Sequence, residues 1–72
     1  MEEMLMEIIN DGEKIVLLDG TTWMINPGDL PTVCTWLPTS SIKIHKLNTN
    51  DMFSYKLTNL SIDVSAYAMK LE

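Results

Sequence analysis

The chain reads as short apolar–polar alternations cut every few residues by turn formers. Ile42 to Leu47 alternates cleanly, placing Ile42 and Ile44 on one face and Lys43 and His45 on the other. Met52 to Asn59 matches it, with Phe53, Tyr55 and Leu57 opposed to Ser54, Lys56 and Thr58. Period-two alternation is the mark of a half-buried strand, and the connecting Asn48-Thr49-Asn50-Asp51 consists of turn formers. After a turn at Leu60 to Asp63, Val64, Ala66 and Ala68 alternate with Ser65, Tyr67 and Met69, which predicts a last strand.

Residues 1 to 9 fit two patterns. Met1, Met4, Leu5, Ile8 and Ile9 recur at helical spacing, and the glutamates sit where a helix start favours negative charge. As a strand, the same segment sets Leu5, Glu7 and Ile9 against Met4, Met6 and Ile8. The turn signal Asn10-Asp11-Gly12-Glu13 leads directly into the apolar stretch Lys14 to Asp19, so a hairpin uses the least chain and a strand over about 4–9 is favoured.

Asp19-Gly20 predicts a two-residue type I′ loop, with Thr22 to Asn26 as the return strand. That register sets Val16, Leu18, Trp23 and Ile25 on one face and Ile15, Leu17, Thr22 and Met24 on the other. Both faces are then apolar, which points to a bent barrel strand or to a face covered by another segment or subunit. Asn26-Pro27-Gly28-Asp29 has the type II turn pattern. A single helical turn fits near 29–33, and Pro38 leaves no room for a long helix. Val33 to Leu37 is apolar, with Cys34 and Trp36 at period-two spacing.

These elements make an all-β chain of five to six short strands, a small antiparallel barrel or roll of SH3-like or OB-like size. Seventy-two residues form one domain, taken as 1–70, with Leu71-Glu72 read as a cloning scar. A domain this small buries a marginal core and is commonly helped by disulfides, a metal or a partner chain. One cysteine forbids an internal disulfide, and Cys34 with His45 falls short of the four ligands of a structural zinc. A second copy of the chain, as a homodimer, is the remaining common aid.

Charge narrows the partners. The net charge is −5, arginine is absent, and every cation is a lysine; nucleic-acid affinity comes mostly from neutralising phosphates, so this balance argues against nucleic acid. The longest purely apolar run, Ile15 to Leu18, is far too short to span a bilayer. The acidic start is not a secretory signal, so the cytoplasm is the default location, with export the alternative if a signal peptide has been removed.

No catalytic set emerges. His45 lies beside Lys43 and Lys46 and reads as an exposed strand residue, and Cys34, between Val33 and Trp36, reads as a buried thiol. A hydrolase built on those two is a remote third option. Asp11, Asp19, Asp29, Asp51 and Asp63 all fall at turns, which explains each of them. No enzyme activity and no cofactor or metal is expected. Trp23 reads as a core anchor. Ile15, Leu17, Met24, Trp36 and Tyr55 are the candidate partner surface, and six methionines suit adaptable contacts. The expected function is a non-enzymatic β module that binds another protein or itself. The alternative is a barrel-type ligand or single-stranded nucleic-acid binder using Trp36, Tyr55 and Lys43, Lys46 and Lys56.

The order Asp19-Gly20-Thr21-x-Trp23, Pro27-x-Asp29, Trp36-Leu37-Pro38, Tyr55-x-Leu57-x-Asn59 resembles a group of small bacterial β proteins, over residues 14 to 68. Those proteins typically carry Gly-Asp after the second tryptophan and glycine after the asparagine; this chain has Thr39-Ser40 and Ile62-Asp63. The resemblance implies a bacterial source and a small all-β fold, and no activity.

Overall fold

The computed structural model describes residues 2–71; Met1 of the helical pattern and Glu72 of the terminal pair lie outside the described residues. The chain is a closed antiparallel barrel of six strands: β1 (Glu2–Ile9), β2 (Lys14–Leu17), β3 (Thr22–Ile25), β4 (Ser41–Lys46), β5 (Tyr55–Asn59) and β6 (Val64–Lys70). Their order around the barrel is β1-β2-β3-β6-β5-β4, closed by β4 on β1. Two three-stranded meanders therefore close on each other, and among the described residues no strand is left with an open edge.

The N-terminal segment is a strand, but its alternation breaks once. Leu5 pairs with Leu17 and Glu7 with Val16, so Met6 is an extra residue. Such a bulge shifts the phase by one, and Leu5 and then Ile8 face the interior. The loop into β2 holds Asn10, Asp11 and Gly12 with positive φ of 51°, 57° and 107°.

The hairpin of β2 and β3 departs from the two-residue loop. Ile15 pairs with Trp23 and Val16 with Thr22. The Leu17 N–H donates to the Thr21 carbonyl (3.0 Å) and the Gly20 N–H to the Leu17 carbonyl (2.9 Å). The loop is thus Leu18-Asp19-Gly20, in which only Gly20 has positive φ (90°), the three-residue hairpin with glycine in the left-handed position. One extra loop residue moves β2 by one register position and flips its faces. Ile15, Leu17, Trp23 and Ile25 all point inward, each at most 2% exposed. The hairpin turns this face into the core and leaves Lys14, Val16, Thr22 and Met24 on its outer face, so Ile15 and Leu17 are core residues, not surface.

The turn after β3 is also different. Gly28 is not left-handed, and residues 27–29 form a 3₁₀ turn instead of a type II turn. The Asn26 side chain closes it by accepting the Gly28 N–H at 3.2 Å. A single turn of helix, α1 (Leu30–Val33), follows with Pro31 in its first turn. Helical spacing then governs the next residues: Val33 and Trp36 are buried, while Cys34 between them is exposed and donates its thiol to the Pro31 carbonyl at 3.2 Å. The period-two reading of Val33 to Leu37 fails there, and the buried thiol with it. Gly12 packs under this turn; a Cβ on it would sit 3.0 Å from both the Cys34 nitrogen and the Leu30 carbonyl oxygen.

In the second meander the alternation is realised as read. Ile42, Ile44, Leu57, Ala66 and Ala68 are interior, and Lys43 and His45 exterior. β5 starts later than the pattern, at Tyr55, because 52–54 belong to the preceding loop. Among the described residues, no helix is long and apolar enough to cross a membrane.

Candidate functional site

An apolar band on the outside of β1 is the first candidate. The register sets Met4 opposite Ser41, and Ser41 accepts the Leu60 N–H at 2.9 Å. On the other flank the Leu18 N–H donates to the Met4 carbonyl at 2.8 Å. Leu18, Met4, Ser41 and Leu60 therefore stand in one cross-strand row, on the surface opposite to Leu17, Leu5, Ile42 and Asn59. Leu18 is 60% exposed and Met4 and Leu60 each 42%. Met6 is exposed next along β1 by the bulge, Ile62 is exposed in the turn that begins at Leu60, and Leu37 is exposed as well.

The band follows from the irregular features. The three-residue loop throws Leu18 outward, and the bulge leaves both Met6 and Glu7 outside. Leu60 and Ile62 stand out in the turn between β5 and β6, whose start is set by Asn59. This buried residue accepts the Ser61 N–H on its side-chain oxygen at 2.9 Å, and Asp63 completes the turn at φ 56°. The methionine content of the first strand was the one signal for this surface; the loop lengths that expose the leucines were not legible.

The second candidate is a cleft of about 520 Å³ between the loop 47–54 and the start of the β3–β4 connection. Leu47, Met52, Phe53 and Tyr67 supply apolar surface, and Asn26, Thr49 and Asp51 supply polar groups. Its size falls within the range of small-ligand sites. Asp29 shapes its border: its carboxylate accepts the Tyr67 N–H at 2.9 Å, while the Tyr67 carbonyl accepts the Asn26 N–H at 2.8 Å.

The expected site residues separate. Trp36 is 2% exposed, and its indole nitrogen has no hydrogen-bond partner among the described residues. Tyr55 is half-buried and meets Trp23 edge-on, with centroids 4.9 Å apart at 75°. Trp36 thus joins Ile15 and Leu17 inside the barrel and offers no stacking platform, and Tyr55 is committed to the core. Met24 alone of the five lies on the outer face, half-buried on β3 and opposite Lys14. Lys43 and Lys56 do share an outer face: His45 pairs with Lys56, Lys56 with Tyr67, and Lys43 stands diagonally one row away. Lys46 pairs with Tyr55 at the strand end.

The Asp-Gly-Thr-x-Trp motif has a structural role. The Asp19 carboxylate accepts both the N–H (2.9 Å) and the hydroxyl (2.6 Å) of Thr21, and the Thr21 hydroxyl oxygen accepts the Trp23 indole N–H at 2.9 Å. The Thr21 bonds, side chain first, hold the Asp19 carboxyl below its ordinary pKa, with Lys70 adding to the effect. Among the described residues, no three of the histidine, cysteine and acidic side chains come together as a metal site.

Comparisons of the chain with protein-family models, with curated proteins and with solved structures find no match.

Proposed function

We propose that this barrel is a non-enzymatic interaction module, of the small bacterial β type its motifs resemble, which binds another protein or a second copy of itself. The observation that carries the reading is the cross-strand row in which exposed Leu18 and Met4 adjoin and exposed Leu60 follows beyond Ser41. Single exposed apolar residues are ordinary, whereas several gathered on one face of a small domain point to a contact surface. The test is a photo-crosslinking residue at position 18, compared with one at His45, on the cells' own protein, with light scattering across concentrations. A discrete adduct from position 18 that disappears in Leu60→Lys, or concentration-dependent dimerisation that does, supports the reading. A strict monomer with no adduct from position 18 overturns it.

A second reading, a ligand or single-stranded nucleic-acid binder, draws on the cleft beside Tyr67 and on the neighbouring row of His45, Lys56 and Tyr67. Stacking would fall to Phe53 and Tyr67 in place of Trp36 and Tyr55. Titration with single-stranded oligonucleotides at low salt tests it, since phosphate-driven binding is strongest there; the absence of any shift at Phe53 and Tyr67 removes it.

A further inference from the structure

We infer that the occupant of the apolar band is a basic amphipathic segment of another protein, not a second copy of this chain; the inference rests on the interaction-module reading. The band is interleaved with carboxylates. Glu7 is set outside together with Met6 by the bulge, Asp19 follows Leu18 in its loop, and Asp63 follows Ile62 in the β5–β6 turn, whereas Glu3 pairs with inward-facing Ile42 and lies on the face away from Met4. Residues 2–19 hold Glu2, Glu3, Glu7, Asp11, Glu13 and Asp19 against the single cation Lys14. Lys43 stands opposite Glu2 and Lys70 acts on Asp19, so these two carboxylates are partly offset; Lys14, one outer-face position from the Val16 that pairs with Glu7, is the remaining cation of this segment.

This arrangement disfavours self-pairing. A two-fold contact presents the same patch from both copies, so it brings the carboxylates of one copy against those of the other, in a chain already at −5. Like charges facing each other across an interface select against that partner. Head-to-tail pairing of the band on the basic face of β4 and β5 lacks an apolar counterpart: the outward residues there are Lys43, His45, Lys56 and Thr58. A segment with leucine-like residues along one side and lysine or arginine along its margins meets both requirements, covering Leu18, Met4 and Leu60 while its cations reach Glu7, Asp19 and Asp63. An anionic membrane surface is repelled by the same carboxylates.

The probe is a labelled Leu/Lys peptide of about four helical turns with its leucines on one side. Its controls are the same composition scrambled to destroy the face and a Leu/Glu counterpart. Fluorescence anisotropy on the full chain, light scattering and amide chemical-shift mapping are read together. The expected result is binding of the Leu/Lys peptide at least about tenfold tighter than either control. Shifts should fall on β1 and on residues 18–20 and 60–63, and Leu18→Lys and Glu7→Gln should each weaken binding with unchanged melting behaviour. Equal binding of the Leu/Glu peptide, shifts confined to β4 and β5, or dimerisation that Leu18→Lys abolishes each overturns the basic-partner inference while leaving the module reading intact. No peptide binding at the band overturns the basic-partner inference alone; a strict monomer that also gives no adduct from a crosslinker at position 18 overturns both.

Discussion

The Asp29 carboxylate accepts the backbone N–H of Tyr67, 38 residues away, at 2.9 Å. One side chain thereby ties the connection between the two meanders to β6, next to the last β3–β6 pair, Ile25 with Ala68. In the sequence Asp29 is one of five aspartates at turns, and turn chemistry accounts for each of them. Its long-range bond depends on barrel closure, which brings Tyr67 to the turn. Asp29→Ala removes the acceptor and should cost about 1 kcal/mol, with Asp29→Asn costing less because it keeps an oxygen. Urea denaturation gives the energies. Faster hydrogen exchange at the Tyr67 amide in Asp29→Ala, with other β6 amides unchanged, locates the effect.

The two left-handed glycines should respond differently to alanine. At Gly20 an added Cβ meets nothing within 4 Å, so only the backbone cost of positive φ applies, about 1–2 kcal/mol. At Gly12 the Cβ also meets the Cys34 nitrogen and Leu30 oxygen at 3.0 Å, and backbone atoms of α1 cannot rotate away. Gly12→Ala should therefore lose about 1–3 kcal/mol more than Gly20→Ala. Equal melting temperatures for the two variants would contradict this packing.

The register of the first hairpin sorts substitutions by face. Leu17→Ala empties a fully buried site and should cost about 2–5 kcal/mol. Leu18→Lys, on the adjacent but exposed residue, should stay within about 0.5 kcal/mol of the parent chain. A two-residue loop predicts the reverse ranking, with Leu18 inside and Leu17 outside. Paired chemical denaturation of the two variants decides between the registers.

Asp19 sets a pH dependence whose sign is determined. Its folded pKa lies below the ordinary value because the charged carboxylate accepts two bonds from Thr21. The unfolded chain therefore binds a proton more readily than the folded one. The resulting stability is present above the ordinary carboxylate pKa and is lost as pH falls through the lowered folded value. In an NMR titration, Thr21→Val should move the Asp19 midpoint upward by removing the hydroxyl donor. An unchanged midpoint would mean the hydroxyl does not hold the charge.

By itself the sequence determined the all-β class and the inward faces of the second meander, and it pointed to five to six short strands with room for a helical turn near 29–33, while residues 1 to 9 fitted both a strand and a helix. Period-two alternation is a local property, and turn formers between the strands are enough to expose it. Trp23 as a core anchor was legible for the same reason. The surface of the first meander was not. A one-residue loop extension after Leu17 and a one-residue bulge at Met6 reversed or shifted whole faces, because a strand changes sides with every single residue. Tertiary closure decided those positions: only with Ile15 and Leu17 inside beside Trp23 and Ile25 does the barrel fill its core. Trp36 entered that core because a helical turn, closed against Gly12, replaced an extended segment. Leu18, Met4 and Leu60 share one row because four segments, with Ser41 of β4 between Met4 and Leu60, lie side by side once the barrel closes.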